Sequence, residues 1–224
     1  DQDNDAKMVI YNSDNSEAEM CGNGIRCLVQ YLHKTKQNNE YMIETKAGTK
    51  IANYNSGEIS VKMGKPIFEA KLVPTNIENY ICGMPSTKFI FKDFSSQGYI
   101  LSMGNPHLIF FVDDLSLISL SEMGPSFENN SLFPEKTNVH FCKIVDVDKI
   151  NVLVWERGAG KTLACGTGAC AIHVAANKLG LCNCNTKINL PGGLLNIFWN
   201  SESEEVIMSG YAKEVFTGTY TLIK

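Results

Sequence analysis

The chain has 224 residues, of which 44% are hydrophobic and 20% charged, with a formal net charge of −4. That length supports one large domain or two small ones with a sizeable core, and the mild charge with no basic cluster gives nucleic-acid binding no support. No apolar run is long enough to cross a bilayer and no signal peptide is seen, so a cytoplasmic protein with no membrane partner is expected.

In chain order, Lys7 to Tyr11 reads as a strand and Asn12 to Glu19 as a polar loop. Cys21-Gly22-Asn23-Gly24 then turns into a helix ending near Lys34, with Ile25, Leu28, Val29 and Leu32 at helical spacing. Strands Tyr41 to Thr45, Thr49 to Tyr54 and Glu58 to Met63 form a meander, separated by turns at Ala47-Gly48 and Asn55-Ser56-Gly57. Composition changes at Pro66, which marks a domain boundary. Phe68 to Val73, Lys88 to Phe91 and Gly98 to Met103 are expected as strands. Gly104-Asn105-Pro106-His107 is a turn leading to a strand at Leu108 to Val112. Leu115 to Met123 is weakly helical, with Gly124-Pro125 expected to stop it. Asn138 to Phe141 starts a strand, and Lys149 to Trp155 is another. After a second helix, Ala169 to Leu179, the strands are Lys187 to Leu190, Leu194 to Trp199, Val206 to Tyr211 and Val215 to Leu222.

Eight cysteines raise the question of disulfides or zinc. No Cys-x-x-Cys occurs, Cys182-Asn183-Cys184 is too tight for a usual zinc pair, and no second pair stands at finger spacing. Most are therefore expected to be free, buried thiols. Cys27 and Cys170 read as packing residues inside their helices, and His33, His140 and His173 as structural.

Two of the cysteines stand apart. Shifting the sequence by 144 places Tyr11 on Trp155, Asn12 on Glu156, Ser13 on Arg157, Cys21 on Cys165 and Gly24 on Gly168. This is an internal repeat with a chemical residue at its centre, and such a repeat sets the architecture. In each copy a thiol meets the first N–H groups of a helix, at the positive end of its dipole, where thiolate is stabilised and small anions bind. Two facing halves would bring the thiols to one cleft from opposite sides. One thiolate removes a proton and one thiol delivers one, which inverts a stereocentre. The α-proton of an amino acid is very weakly acidic, so the carboxylate must be held by N–H groups that favour its growing charge. No Lys stands in a Schiff-base context and no metal cluster is visible, so neither cofactor nor metal is expected. Glu156 and Arg157, between an apolar strand and a Gly-rich turn, suit an ammonium and a carboxylate. Asn12, Asn105 and Asn138 are neutral groups suited to a zwitterion.

Asn12, Ala18 to Cys27, Met103 to His107, Asn138, Glu156 to Gly160 and Ala164 to Cys170 together resemble the diaminopimelate epimerase family. Leu190 to Gly193 and Gly210 to Lys213 resemble its closing segments. The resemblance implies an isomerase that interconverts LL- and meso-diaminopimelate without a cofactor, in lysine and cell-wall synthesis. It implies an α/β (α+β) fold of two pseudo-symmetric domains, each a curled, mostly antiparallel sheet around a central helix, with the site between them. Residues 1–65 with 211–224 form the first domain and residues 66–210 the second. Cys21 and Cys165 are the implied acid–base pair, supported by His107. Backbone N–H groups of Gly22, Asn23, Gly166 and Thr167 hold the reacting carboxylate, and Glu156 takes the reacting amino group. Asn12, Asn105, Asn138 and Arg157 read the distal end. The family's opening strand, with its Gly-Asn-Asp-Phe-like motif, is not in this sequence, so a missing N-terminal segment is expected, and a homodimer is compatible with the resemblance. The competing readings are a cofactor-independent racemase of the proline racemase type, and a non-catalytic ligand-binding protein on the same scaffold. The first usually shows a His after the Cys-Gly, where this chain has Asn23.

Overall fold

The computed structural model describes residues 4–11, 17–199, 202 and 204–219. Its elements in order are β1 (Ala6–Lys7), α1 (Gly22–Lys36), β2 (Glu40–Glu44), β3 (Lys50–Asn55), β4 (Glu58–Gly64), β5 (Tyr80–Ile81), β6 (Met84–Phe91), β7 (Phe94–Ser102), β8 (Pro106–Phe111), α2 (Leu120–Glu128), β9 (Asn138–Asp146), β10 (Lys149–Glu156), β11 (Gly160–Lys161), α3 (Gly166–Lys178), β12 (Asn185–Leu190), β13 (Gly193–Phe198) and β14 (Val206–Tyr211). Among the described residues the strands run as β1-β2-β3-β4-β14-β13-β12-β10-β9-β8-β7-β6-β5, with β11 hydrogen-bonded to β10 outside that path. Pairing is mostly antiparallel; β1–β2, β8–β9 and β10–β12 are the parallel pairs.

Local chemistry explains the meander. Asn55 pairs Glu58 across a two-residue loop, Ser56-Gly57, and both loop residues have positive φ, 50° and 92°. Positive φ at both positions matches the right-handed twist of a tight hairpin. β4 alternates strictly, with Ile59, Val61 and Met63 buried, which is the period-2 pattern of a half-buried strand. α1 covers this face with Ile25 and Val29. The apolar spacing of α1 makes that stripe, and Gln37 in a left-handed conformation ends the helix.

α3 differs, because its residues from Gly168 to Ala176 are all buried. A helix that is apolar all round belongs in a core, and its small Ala side chains let strands approach closely. It packs on β7, β8, β9, β12, β13 and β14, and touches α1. β14 pairs with β4 on one side and β13 on the other, so the two parts of the chain share one sheet. One core contains both helices and the strands beneath them. A second core is aromatic, with Phe89, Phe110, Phe127, Phe133 and Phe141 gathered around α2.

Several expected elements differ. Phe68 to Val73 is not a strand: the Leu72 and Val73 N–H groups both donate to the Glu69 carbonyl, which closes turns. Gly124-Pro125 does not stop the second region; α2 runs through Pro125. Leu120, Met123 and Phe127 bury there at helical spacing, and this packing outweighs the proline's missing donor. The strand expected from Lys7 to Tyr11 shortens to Ala6–Lys7, because the Ala18 N–H donates to the Ile10 carbonyl and Tyr11 bridges Glu17, folding the segment onto itself. Val215 to Gly218 is not strand, with Val215 and Phe216 exposed, and residues 220–222 lie outside the described residues. Cys27 is exposed rather than packed. It sits two positions from Ile25, which turns it to the opposite side of α1.

Candidate active site

Both cysteines occupy the residue just before a helix. Cys21 caps α1 at φ −137°, ψ 109°, and Cys165 caps α3 at φ −128°, ψ 109°. This near-identity is the internal repeat expressed as backbone geometry. The first intrahelical bonds are made by the Ile25 and Ala169 N–H groups to Cys21 and Cys165 carbonyls. The N–H groups of Gly22, Asn23, Gly166 and Thr167 therefore have no acceptor within their own helices. Added β-carbons show how close the two ends come. One on Gly22 would sit 2.3 Å from Met208 Cε, and one on Gly166 would sit 3.2 Å from Met208 Sδ and 3.6 Å from Asn23 Oδ1. The two positive helix ends thus converge above one methionine, and their glycines permit it.

A cleft of about 700 Å³ opens at this convergence. It is lined by Cys21, Gly22 and Asn23 from the first copy and by Cys165, Gly166 and Thr167 from the second, with Asn105, Asn138, Glu156 and Arg157. Ten of the residues expected at a site are therefore gathered in one place by the fold. Asn12 lies outside the described residues. His107 does not line the cleft; it is fully buried behind it.

The two sulfurs have different surroundings. Cys21 is half-buried, and its Sγ accepts the Gly24 N–H at 3.3 Å. Cys165 is buried, with Thr167 Oγ1 at 3.5 Å. Burial pushes its thiol up first, and the neighbouring Glu156 carboxylate pushes it further. Both causes favour the protonated thiol at Cys165, which can donate to Glu156.

Behind the cleft two buried histidines make a chain. His107 Nε2 lies 3.0 Å from Asn105 Oδ1, and His107 Nδ1 lies 2.9 Å from His140 Nε2. The parallel register of β8 and β9 places Asn138 opposite His107 and His140 opposite Ile109, which makes the two rings diagonal neighbours on one face. Burial holds both rings neutral: His107 falls well below its ordinary value, and His140 to about 3. In neutral rings one nitrogen donates and the other accepts. With His107 Nε2–H on Asn105 Oδ1, the Asn105 side-chain N–H groups are presented to the cleft as donors. His107 thus reaches the cleft only through Asn105.

Asn138 is buried, and its Nδ2 donates to the Pro106 carbonyl at 2.8 Å while its Oδ1 accepts the Arg157 N–H at 3.0 Å. The Oδ1 end of this amide therefore ties the turn after β10 to β9, and the Nδ2 end ties β9 to the start of β8. Arg157 Nη1 reaches the Glu135 carbonyl at 3.1 Å, and the side chain is exposed at the cleft mouth. Asn23 Oδ1 is buried without a hydrogen-bond partner, beside Gly166. An orphaned buried acceptor at this point suits an N–H donor brought by a ligand. Among the described residues, no group of three or more His, Cys, Asp or Glu is placed to hold a metal ion.

Three residues that shape the cleft were not singled out for it in the sequence: Met208, His140 and Glu128. Glu128 has a visible signal, a carboxylate at the i+8 position of the buried stripe Leu120, Met123, Gly124, Phe127. A charge on a helix's core face needs a reason.

Comparisons with known proteins bear on the family and the fold. Residues 1–69 and 99–215 match the family profile described as "Diaminopimelate epimerase". The chain is similar to the protein named "Diaminopimelate epimerase" of Prochlorococcus marinus (strain NATL1A), 46% identical over 216 residues, covering 95% of this chain and 76% of that protein. It is similar to the protein of the same name from Halothermothrix orenii, 44% identical over 223 residues, covering 96% and 78%. Among solved structures it resembles a hydroxyproline epimerase from Agrobacterium vitis with bound trans-4-OH-L-proline, TM-score 0.64, 14% identical, covering 94% of this chain and 69% of that one. It also resembles a PhzC/PhzF protein from Clostridium difficile, TM-score 0.64, 12% identical, covering 96% and 78%. These two structural likenesses concern the fold alone.

Proposed function

The chain belongs to the diaminopimelate epimerase family, and from that premise we propose that it inverts the α-carbon of diaminopimelate, LL to meso and back, with Cys21 and Cys165 as the acid–base pair. The single observation that carries this reading is the convergence of two Cys-capped helix N-termini on one cleft. The reacting carboxylate lies across the N–H groups of Gly22, Asn23, Gly166 and Thr167. Two helix dipoles then face the oxygens on which charge accumulates as the Cα–H bond breaks, which is where preorganised donors lower a barrier most.

The substrate's ammonium pairs with Glu156, and this has a consequence for Cys165. Neutralising Glu156 removes the second cause that pushes its thiol up. Binding thereby prepares Cys165 for its turn as base. In the opposite direction Cys21 takes the proton, with the Gly24 N–H and the helix end directed at its sulfur. One sulfur accepts the proton from one face of the carbon while the other donates from the opposite face. The distal end is read by Asn105, whose amide orientation is set by His107, and by Arg157 at the cleft mouth. Residues 1–65 with 211–224 and residues 66–210 serve as the two units that supply one thiol each, and the inversion needs no cofactor.

The test is solvent exchange. In D2O the full chain should place deuterium at Cα of diaminopimelate while converting LL to meso, and should leave proline unlabelled. Labelled proline with unlabelled diaminopimelate would overturn the substrate assignment; no label in either would overturn the enzyme reading.

A further inference from the structure

The turn that carries Glu156 and Arg157 has little structure of its own. Gly158 and Gly160 both have positive φ, 75° and 76°, a region glycine enters freely. Its internal hydrogen bonds are short-range, from the Ala159 N–H to the Glu156 carbonyl and in the two-residue pairing of β10 with β11. Such a segment does not hold two charged side chains in register by itself.

A buried carboxylate from another element holds it. Glu128, the last residue of α2, is only 6% exposed. Its Oε2 accepts the Trp155 indole Nε1–H at 2.7 Å, and its Oε1 accepts the Gly158 N–H at 2.9 Å. It is in no ion pair among the described residues. A buried carboxyl group needs hydrogen-bond partners, and these two donors are the ones that Glu128 has among the described residues. Both donors belong to the same four-residue segment and flank Glu156 and Arg157 on either side. The Arg157 N–H between them is held by Asn138 Oδ1. Packing reinforces the clamp: a β-carbon on Gly124 of α2 would lie 2.3 Å from Trp155 Cδ2, so helix and indole are in close contact.

We propose that Glu128 is a positioning residue for the reaction, the clamp that sets Glu156 and Arg157 against the substrate. This rests on the reading that those two residues bind the substrate's amino and carboxylate groups. Glu128 does not touch the cleft and acts through the turn. A neutral residue of the same shape meets only half the requirement. In Glu128→Gln one oxygen remains to accept one N–H, while the new NH2 faces the other donor.

The experiment uses the full chain and its Glu128→Gln and Glu128→Asp variants. Two readouts report the clamp directly. The Trp155 indole N–H resonance is one of only two in the protein, since Trp155 and Trp199 are its tryptophans. It should move in both variants, and the Gly158 amide should exchange slowly in the wild type and quickly in Glu128→Gln. The third readout is kinetic. A misplacement of about 1 Å at a reacting centre costs up to ~10²-fold, so kcat/KM for diaminopimelate should fall on the order of 10- to 100-fold. A resonance that moves while kcat/KM stays within twofold would make Glu128 a structural tie only, and would overturn the proposal. Should the variants not fold, fast Gly158 exchange in the wild type would itself overturn it, and slow exchange would support it. A wild-type chain that turns over no diaminopimelate signals failure of the functional reading instead, because the indole and Gly158 readouts report the clamp independently of turnover.

Discussion

At the scale of single residues, Glu156 has two effects of opposite sign on the chemistry. In the proposed reaction it gives the substrate's ammonium a partner, and its own charge opposes ionisation of Cys165. Glu156→Gln separates them. Epimerisation should fall strongly, because a charged contact in a closed site is worth on the order of 2–5 kcal/mol. Alkylation of Cys165 by iodoacetamide at pH 8 should become faster, by up to about tenfold for each pKa unit of upward shift relieved. Peptide mass spectrometry reads the alkylation, and a slower rate in the variant would contradict the electrostatic account. The histidines give a second residue-scale prediction. His107, His140 and His173 are all held below their ordinary value by burial, His140 at about 3 and His173 at about 4. In the unfolded chain they titrate near 6.5, so between that pH and their folded values the unfolded state binds more protons. Their stabilisation is complete above about pH 6.5 and is lost as pH falls towards 3–4, with a slope of up to about 1.4 kcal/mol per pH unit for each. The thermal midpoint should drop between pH 6.5 and 5, above most of the carboxylate range, and less steeply in His140→Gln. A flat midpoint over that window would contradict the buried, neutral assignment.

At the scale of elements, the two Cys-capped helices were legible because their signals are local. A Cys-Gly-x-Gly turn before an apolar, helix-forming run marks a helix start whatever the chain does elsewhere. Phe68 to Val73 misleads for the same reason: its apolar alternation is a local signal, and the turn bonds to the Glu69 carbonyl override it. α2 shows the converse, since its apolar face keeps it helical through Pro125. The His107–His140 pair was only half legible, because one ring comes from β8 and the other from β9, and their meeting depends on parallel register. This pair also limits what α3 tolerates. A β-carbon on Gly168 would lie 2.4 Å from His140 Cε1, and that ring is fixed by His107. A β-carbon on Gly22 meets Met208 Cε at 2.3 Å, the mobile end of a flexible side chain. Exchanging Gly for Ala inside a helix gains up to about 1 kcal/mol. Overpacking against a fixed group costs about 1–3 kcal/mol. Gly168→Ala should therefore be destabilised in urea melts and lose activity with Asn105 displaced, while Gly22→Ala stays close to wild type in stability. Equal stability of the two variants would refute the rigid-ring argument.

At the scale of the whole molecule, the repeat of 144 residues foretold two thiols on equivalent turns but not how they would be joined. The joining is done by β14, which lies between β4 and β13 and carries Met208 beneath both helix ends. Nothing in the stretch Val206 to Tyr211 announces that role, because a strand's neighbours are chosen by pairing across more than a hundred residues. The central claim is also a property of the whole: each half supplies one sulfur, and neither half alone can invert the carbon. The measurement that tests it most directly compares epimerisation and Cα–H exchange in the wild type, Cys21→Ser and Cys165→Ser. A free thiol titrates near 8.5 and a Ser hydroxyl does not titrate in that range, so Ser is a far poorer base. Both variants should lose epimerisation of diaminopimelate. Each should retain at most exchange from the one face its remaining thiol serves, so that labelled substrate returns with its configuration kept. If Cys165→Ser epimerises at the wild-type rate, the two-thiol mechanism is wrong and the repeat is architectural.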